Sequence, residues 1–178
     1  EYGADLVQPE HPEVLDLYGL RPRQYFFIAA RLIASNQIAL LVDAFNKSNS
    51  KRIQAIAGGG HGNSLYYQQM CARAGDRVKF LGLISDQSHM NELYANAYAY
   101  LHGASLGGVN SALLRPLGAG CPALAYDTPF NREVLQMADG SLCGRLWRNE
   151  EEVGRGLAEL EGDPSLADRL AQASVLQI

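Results

Sequence analysis

The sequence predicts a doubly wound α/β domain: a parallel sheet of about six strands with helices on both faces. Three observations lead there. Short runs are apolar throughout instead of alternating with polar residues, as in strands buried on both faces. Segments of helical period separate them, and turns rich in glycine or polar residues follow the runs.

Taken in order, Tyr25–Ala30 is the first apolar strand. Ser35 is positioned to cap a helix carrying Ile38, Leu41, Val42 and Phe45 along one stripe. Ile53–Ala57 is the second strand, followed by Gly58-Gly59-Gly60 and a helix from about Ser64 to Ala74. Val78–Leu81 is the third, and Ser85 opens a helix with Met90, Leu93, Tyr94 and Ala97 on its inner face. Ala99–His102 is the fourth strand, and a helix is expected to begin near Asn110. Pro122–Tyr126 is the fifth strand, a short helix spans Asn131–Met137, and a weak sixth strand lies near Leu142–Leu146. Asn149 caps Glu150–Leu160, whose three leading glutamates suit the positive end of the helix dipole. Asp163 caps Pro164–Ser174, with proline at the tolerated first position.

The chain of 178 residues suits one domain, with 47% hydrophobic and 19% charged residues and a formal net charge of −4. No Lys/Arg stripe is available to displace counterions, which argues against nucleic-acid partners. Cys71, Cys121 and Cys143 are far apart and lack metal-ligand spacing, so structural thiols in a reducing, cytoplasmic setting are expected. The four histidines are dispersed, and no zinc site is expected. Glu1 to Arg23, with Pro9, Pro12 and Pro22, is read as a linker leaving a preceding domain. Residues 24–178 are the domain itself, ending inside an amphipathic pattern, as a fragment of a longer polypeptide would.

Ligands of doubly wound sheets sit beyond the carboxyl ends of the strands. Four turns fall there: Ala30–Asn36, Gly58–Asn63, Gly82–Asp86 and Gly103–Asn110. In the last, a strand, the glycines Gly107-Gly108 and a helix start at Asn110 bring free backbone N–H groups and a helix dipole to one spot, suited to a phosphate. Arg31, just past the first strand, can bind an anion bidentately, and with Gly107, Gly108 and Asn110 makes a two-sided clamp for a diphosphate. At least two of the glycines in Gly58-Gly59-Gly60-His61-Gly62-Asn63 are expected to serve a strand-to-helix turn needing positive φ, and the loop is also a candidate to lie near the ligand. These glycines complete neither G-x-G-x-x-G nor a P-loop. His102, ending a buried strand at the ligand-facing edge, is read as a core histidine bonded to backbone, with a substrate contact as the alternative.

These residues together resemble the carboxyl-terminal domain of the two-Rossmann-domain (GT-B) retaining glycosyltransferases of the large group-one family (family four). Tyr2-Gly3-Ala4-Asp5 is similar to the segment leaving that family's amino-terminal domain, and Tyr25–Leu32 to its "Y-x-L-x-V-G-R-L" strand. Val78–Gly82 resembles "V-x-F-L-G", Leu93–Ala97 the helix after it, and Gly120–Asp127 "G-x-P-V-x-A-x-D". Within the family the likeness is nearest to bacterial rhamnosyltransferase-type members, through Ala34–Gln37, His102–Pro116 and Asp127-Thr128-Pro129-Phe130-Asn131-Arg132-Glu133-Val134-Leu135.

The resemblance implies a domain binding a nucleotide-diphosphate sugar (dTDP-, UDP- or GDP-linked). A glycan or lipid-linked acceptor, and any membrane attachment, would belong to the amino-terminal domain. It implies a parent hexosyltransferase active in polysaccharide biosynthesis, with this domain alone inactive and no metal or other cofactor required. By the same resemblance Arg31 would hold the pyrophosphate, Gly107, Gly108 and Val109 would cradle it with Asn110, and Asn36, Ser105 and Arg115 would complete the site.

Three positions depart from the family. Asn36 stands where many members have lysine, Ser105 and Leu106 where the first of the family's two glutamates falls, and Arg115 where the second falls. Arginine cannot accept the ribose hydroxyl bonds that a carboxylate accepts. Pro116 is expected to kink the helix at a cost of roughly 3 kcal/mol, and Gly118 to loosen it by about 1 kcal/mol. Two functions therefore stand: a glycosyltransferase donor domain, or a catalytically degenerate domain that supports another protein.

Overall fold

A computed structural model describes residues 5–59, 64–106 and 111–178. Its elements in chain order are α1 (Val14–Leu17), β1 (Tyr25–Ala29), α2 (Ile38–Lys47), β2 (Ile53–Ala57), α3 (Leu65–Arg73), β3 (Val78–Gly82), α4 (Gln87–Ala95), β4 (Ala99–His102), α5 (Ser111–Gly118), β5 (Ala123–Tyr126), α6 (Pro129–Leu135), β6 (Gly144–Trp147), α7 (Glu150–Gly162) and α8 (Pro164–Gln177). The six strands form one sheet, in the order β3-β2-β1-β4-β5-β6, with every pairing parallel. This is the doubly wound α/β sheet the sequence predicts.

Period-two geometry explains the apolar runs. In β1, Phe26 and Ile28 enter a core with Leu41, Phe45, Trp147 and Leu157, whereas Tyr25 and Phe27 enter the other with Leu93, Tyr94, Leu113 and Leu117. Each fully buried side chain of this size contributes about 1.5–3 kcal/mol. The first core lies under α2 and α7, and the second under α4 and α5. α8 carries Ala167 and Leu170 into one core and Ala173 to the edge of the other, packing against both α7 and α5.

Local chemistry moved several boundaries. Ser35 does not cap α2: it lies in a 3-10 turn, Ala34–Asn36, and Gln37 in the left-handed region (φ 52°) makes the entry. Asp86 caps α4 where Ser85 was expected, because its carboxylate reaches the backbone N–H of both Ser88 and His89. Thr128 starts α6 two residues early, accepting from the Asn131 N–H, with Pro129 at the favoured first position. β6 sits two residues later than expected, at Gly144–Trp147. Ser64, Asn149 and Asp163 cap α3, α7 and α8 as their types and positions suggest.

The early segment, where described, is fastened to the domain. Leu15 and Leu20 are buried in the second core, and Val7 donates its N–H to Gly118 O. Glu92 Oε1 accepts from the backbone of Glu10 and His11 at 2.7 and 2.8 Å.

Candidate functional site

The strand order reverses between β1 and β4, and such a switch point opens a crevice at the carboxyl ends of the strands. The register Phe26↔Ala99 and Phe27↔Tyr100 brings the two strand ends side by side. Arg31 and the segment leaving His102 are therefore neighbours on one edge of the sheet. Three contacts stitch their connections together, and a fourth braces the β1 connection internally. Gln37 Nε2 donates to Gly103 O at 3.1 Å, Ser105 donates both its N–H and its hydroxyl to Ser35 O at 2.9 Å, and Asn36 Nδ2 donates to Arg31 O at 2.8 Å. Gly103 is obligatory here, since a Cβ on it would stand 2.2 Å from Asn36 O.

From the other side Asn131, fully buried at the start of α6, donates through Nδ2 to Ala104 O (3.1 Å) and Tyr126 O (2.9 Å). It also shares a hydrogen bond with His102, whose imidazole is 4% exposed. Burial pushes the His102 pKa down to about 4, against the opposing pull of Asn131, so the ring is neutral at pH 7. Three successive residues, 103 to 105, are thus each held by a different anchor. They fix the heading of the chain as it leaves β4.

A cleft of about 380 Å³ opens along this edge. Ala29, Ala30 and Arg31 follow β1, Ala57, Gly58 and Gly59 follow β2, and Ser111, Ala112 and Arg115 come from α5. Leu83, Ile84, Met90 and Tyr94 build an apolar wall from the β3–α4 side. Burial raises the Tyr94 phenol to about 12, partly offset by Arg115. The phenol stays neutral and serves as wall. Tyr100 Oη ties down the end of β1 by donating to Ala29 O at 3.0 Å.

Of the four glycines in the turn after β2, Gly58 and Gly59 are described, and Gly60 and Gly62 lie outside the described residues. Neither Gly58 nor Gly59 has positive φ. Gly58 is required by close approach, because a Cβ there would meet Ala30 O at 1.9 Å. The first two connections are in backbone contact, and that contact forms the cleft floor.

Of the sequence-predicted site residues, Arg31 and Arg115 line the same cleft, both exposed. Asn36 and Ser105 lie beside it, with their side chains committed to the backbone of the β1 connection. Gly107, Gly108, Val109 and Asn110 lie outside the described residues. α5 runs through Pro116 to Gly118, with Pro116 buried. The proline removes the N–H that would have bonded Ala112 O, one rung of a short ladder. Cys121 and Ala119 close the helix end by donating to Pro116 O and Arg115 O.

Sequence reasoning missed Asn131, Gln37 and the apolar wall. Met90 and Tyr94 were legible only as the inner stripe of a helix. Asn131 stood inside a quoted motif, but its carbonyl partners are 5 and 27 residues away. Among the described residues no group of His, Cys, Asp and Glu could hold a metal. Cys121 and Cys143 are buried free thiols, and Cys71 is an exposed one. Among the described residues no helix is long and apolar enough to cross a membrane.

Fold and sequence now meet in a family. The profile of the glycosyl transferases group 1 family matches residues 19–175, and the chain belongs to it. Solved structures agree in fold. Anabaena Alr3699/HepE in complex with UDP-glucose superposes with a TM-score of 0.83 at 16% identity, over 98% of this chain and 50% of that one. The C-terminal domain of LpcC, a glycosyl transferase group 1 family protein from Francisella tularensis, gives 0.76 at 16% identity, over 98% and 96%. The pneumococcal O-GlcNAc transferase GtfA with UDP and GlcNAc gives 0.72 at 19%, over 97% and 34%. The chain spans about half the length of the HepE structures. No curated protein sequence matches it.

Proposed function

We propose that this chain is the donor-binding domain of a glycosyltransferase, taking a nucleotide-diphosphate sugar for retaining transfer to a polysaccharide or glycolipid acceptor. The observation that carries the reading is Arg31 sharing one cleft with the first turn of α5 at the switch point of the sheet. A guanidinium on one side and the positive end of a helix on the other suit a diphosphate. As the glycosidic bond to the leaving nucleotide breaks, negative charge grows on the diphosphate, and these fixed charges stabilise it without a metal. Arg31, Asn36, Ser105, Arg115 and the 107–110 segment are the proposed donor site. Asn36 and Ser105 act by holding the loops that carry it. Neighbours of the same fold solved with UDP or UDP-glucose support a nucleotide donor, here UDP-, dTDP- or GDP-linked. The acceptor would be bound by an amino-terminal domain, on the cytoplasmic side of a membrane.

A second reading rests on Arg115. It presents a cation to the cleft at the position where the resembling family carries a carboxylate for the ribose, next to the helix-disfavoured Pro116. On that reading the domain is a catalytically degenerate scaffold. Calorimetric or saturation-transfer NMR titration with UDP, GDP and dTDP separates the two. The donor reading expects at least one diphosphate to bind, and more tightly than its nucleoside. No binding of any of the three at millimolar concentration would leave the scaffold.

A further inference from the structure

Arginines in this protein are, as a rule, neutralised. Arg52 lies 2.5 Å from Glu161, Arg73 2.6 Å from Asp43, and Arg132 and Arg148 share Asp127 at 2.8 and 2.7 Å. Arg77 is an exception: it packs over Phe45 and donates to the neutral carbonyls of Ser48 and Ser50, with no carboxylate partner. Among the described residues Arg21, Arg31, Arg77 and Arg115 have no carboxylate partner, and of these Arg31 and Arg115 stand together in one cleft. Both line the same cleft, whose described wall contains no aspartate or glutamate, and neither has a carboxylate partner among the described residues. Arg115 donates to Gln87 Oε1 at 3.1 Å, and Gln87 is anchored in turn by Nε2 on Asn91 Oδ1 at 2.8 Å. An amide orients the guanidinium while leaving its charge uncancelled.

Two uncancelled cations around about 380 Å³ of shared space repel each other until anions arrive. A diphosphate between Arg31 and the start of α5 satisfies one of them. Arg115 stands a turn further along α5, flanked by the apolar wall of Ile84, Met90 and Tyr94 that suits a flat ring. We propose that the cleft selects a nucleotide carrying a second anionic group, separate from its diphosphate and held by Arg115. That group is a phosphate on the ribose or a carboxylate on the transferred sugar. The inference rests on the donor-site reading above and narrows it.

Two matched pairs test it by calorimetry: ADP against its 3′-phosphorylated form, and UDP-glucose against UDP-glucuronic acid. Each is titrated into the wild-type chain and into Arg115→Gln. We expect the added anion to tighten binding about tenfold in one pair, as a charge-assisted hydrogen bond would. That ratio should fall towards one in Arg115→Gln, and should shrink in the wild type as salt is raised. The pair that responds tells ribose phosphate from sugar carboxylate. If nucleotides bind but both wild-type ratios are near one, or the ratio survives in Arg115→Gln, the inference is wrong and the donor reading stands. If no nucleotide binds at all, both fall.

Discussion

Two clefts of this domain handle arginine in opposite ways. At the β5–β6 end, about 400 Å³ is lined by Arg132, Arg145, Arg148 and Arg155 together with Asp127, Glu152 and Glu159. Asp127, its side chain about a tenth exposed, takes two of those arginines, while Glu159 and Glu151 take Arg145 and Arg155. At the β1–β4 switch point Arg31 and Arg115 face a cleft with no carboxylate on its described wall. A count of arginines would favour the first cleft for an anion. The balance of charge favours the second, because a cation already holding an internal carboxylate must give it up before it can hold a phosphate. Arginine in a cleft marks an anion site only where its own protein has left it uncancelled.

The comparison can be broken most severely at Gly103. Gly103→Ala drives a Cβ into Asn36 O, a backbone atom with little room to yield. We expect a loss of about 3 kcal/mol in denaturant unfolding, as overpacking at a fixed backbone contact costs. Nucleotide binding should weaken as well, because the pinned segment 103–105 changes its heading. Arg31→Ala is the next largest effect. Diphosphate affinity should fall about 30-fold, the worth of roughly 2 kcal/mol of charge-assisted bonding, while uridine is hardly affected. Arg148→Ala at the neutralised cleft should leave both affinities unchanged in the same titration.

Acid unfolding sharpens the contrast with smaller effects. His102 in the folded chain titrates near 4 instead of its ordinary 6.5, so the unfolded chain takes up a proton that the folded one refuses. Stability should therefore decline as pH falls from about 6.5 towards 4, and His102→Gln should flatten that limb. Asp127 behaves differently. Burial pushes its pKa up, but the hydrogen bonds from Arg148 and Arg132 win, and the carboxyl sits below its ordinary range. Its contribution is present above the unfolded carboxylate pKa and is lost only as pH falls through the lower folded value. Asp127→Asn should cost about 1 kcal/mol at neutral pH, since both arginines are largely exposed. It should leave the His102 limb untouched.

The fold was legible because burial on both faces leaves an unmistakable trace: runs such as Tyr25–Ala29 and Ala99–His102 have no polar alternation to confuse them. Caps at Asn149 and Asp163 were legible because a short polar side chain bonds its own backbone three residues on. Ser35 misled because it belongs to a 3-10 turn whose exit is the left-handed Gln37, a conformation its sequence neighbours do not announce. In the site, Arg31 was readable from its place after a strand. What could not be read were contacts between loops distant in sequence. Gly58 against Ala30, Gly103 against Asn36 and Asn131 against Ala104 depend on which strands become neighbours. So does the charge state of each arginine, because Asp127's claim on Arg148 spans 21 residues and a strand pairing.

The most direct test of the account is a crystal structure of this chain soaked with UDP. The diphosphate should lie at the β1–β4 switch point, within hydrogen-bonding distance of the Arg31 guanidinium and at the start of α5. Density for it among Arg132, Arg145 and Arg148 instead, with Arg31 still turned to solvent, would contradict the claim that uncancelled charge chooses the site.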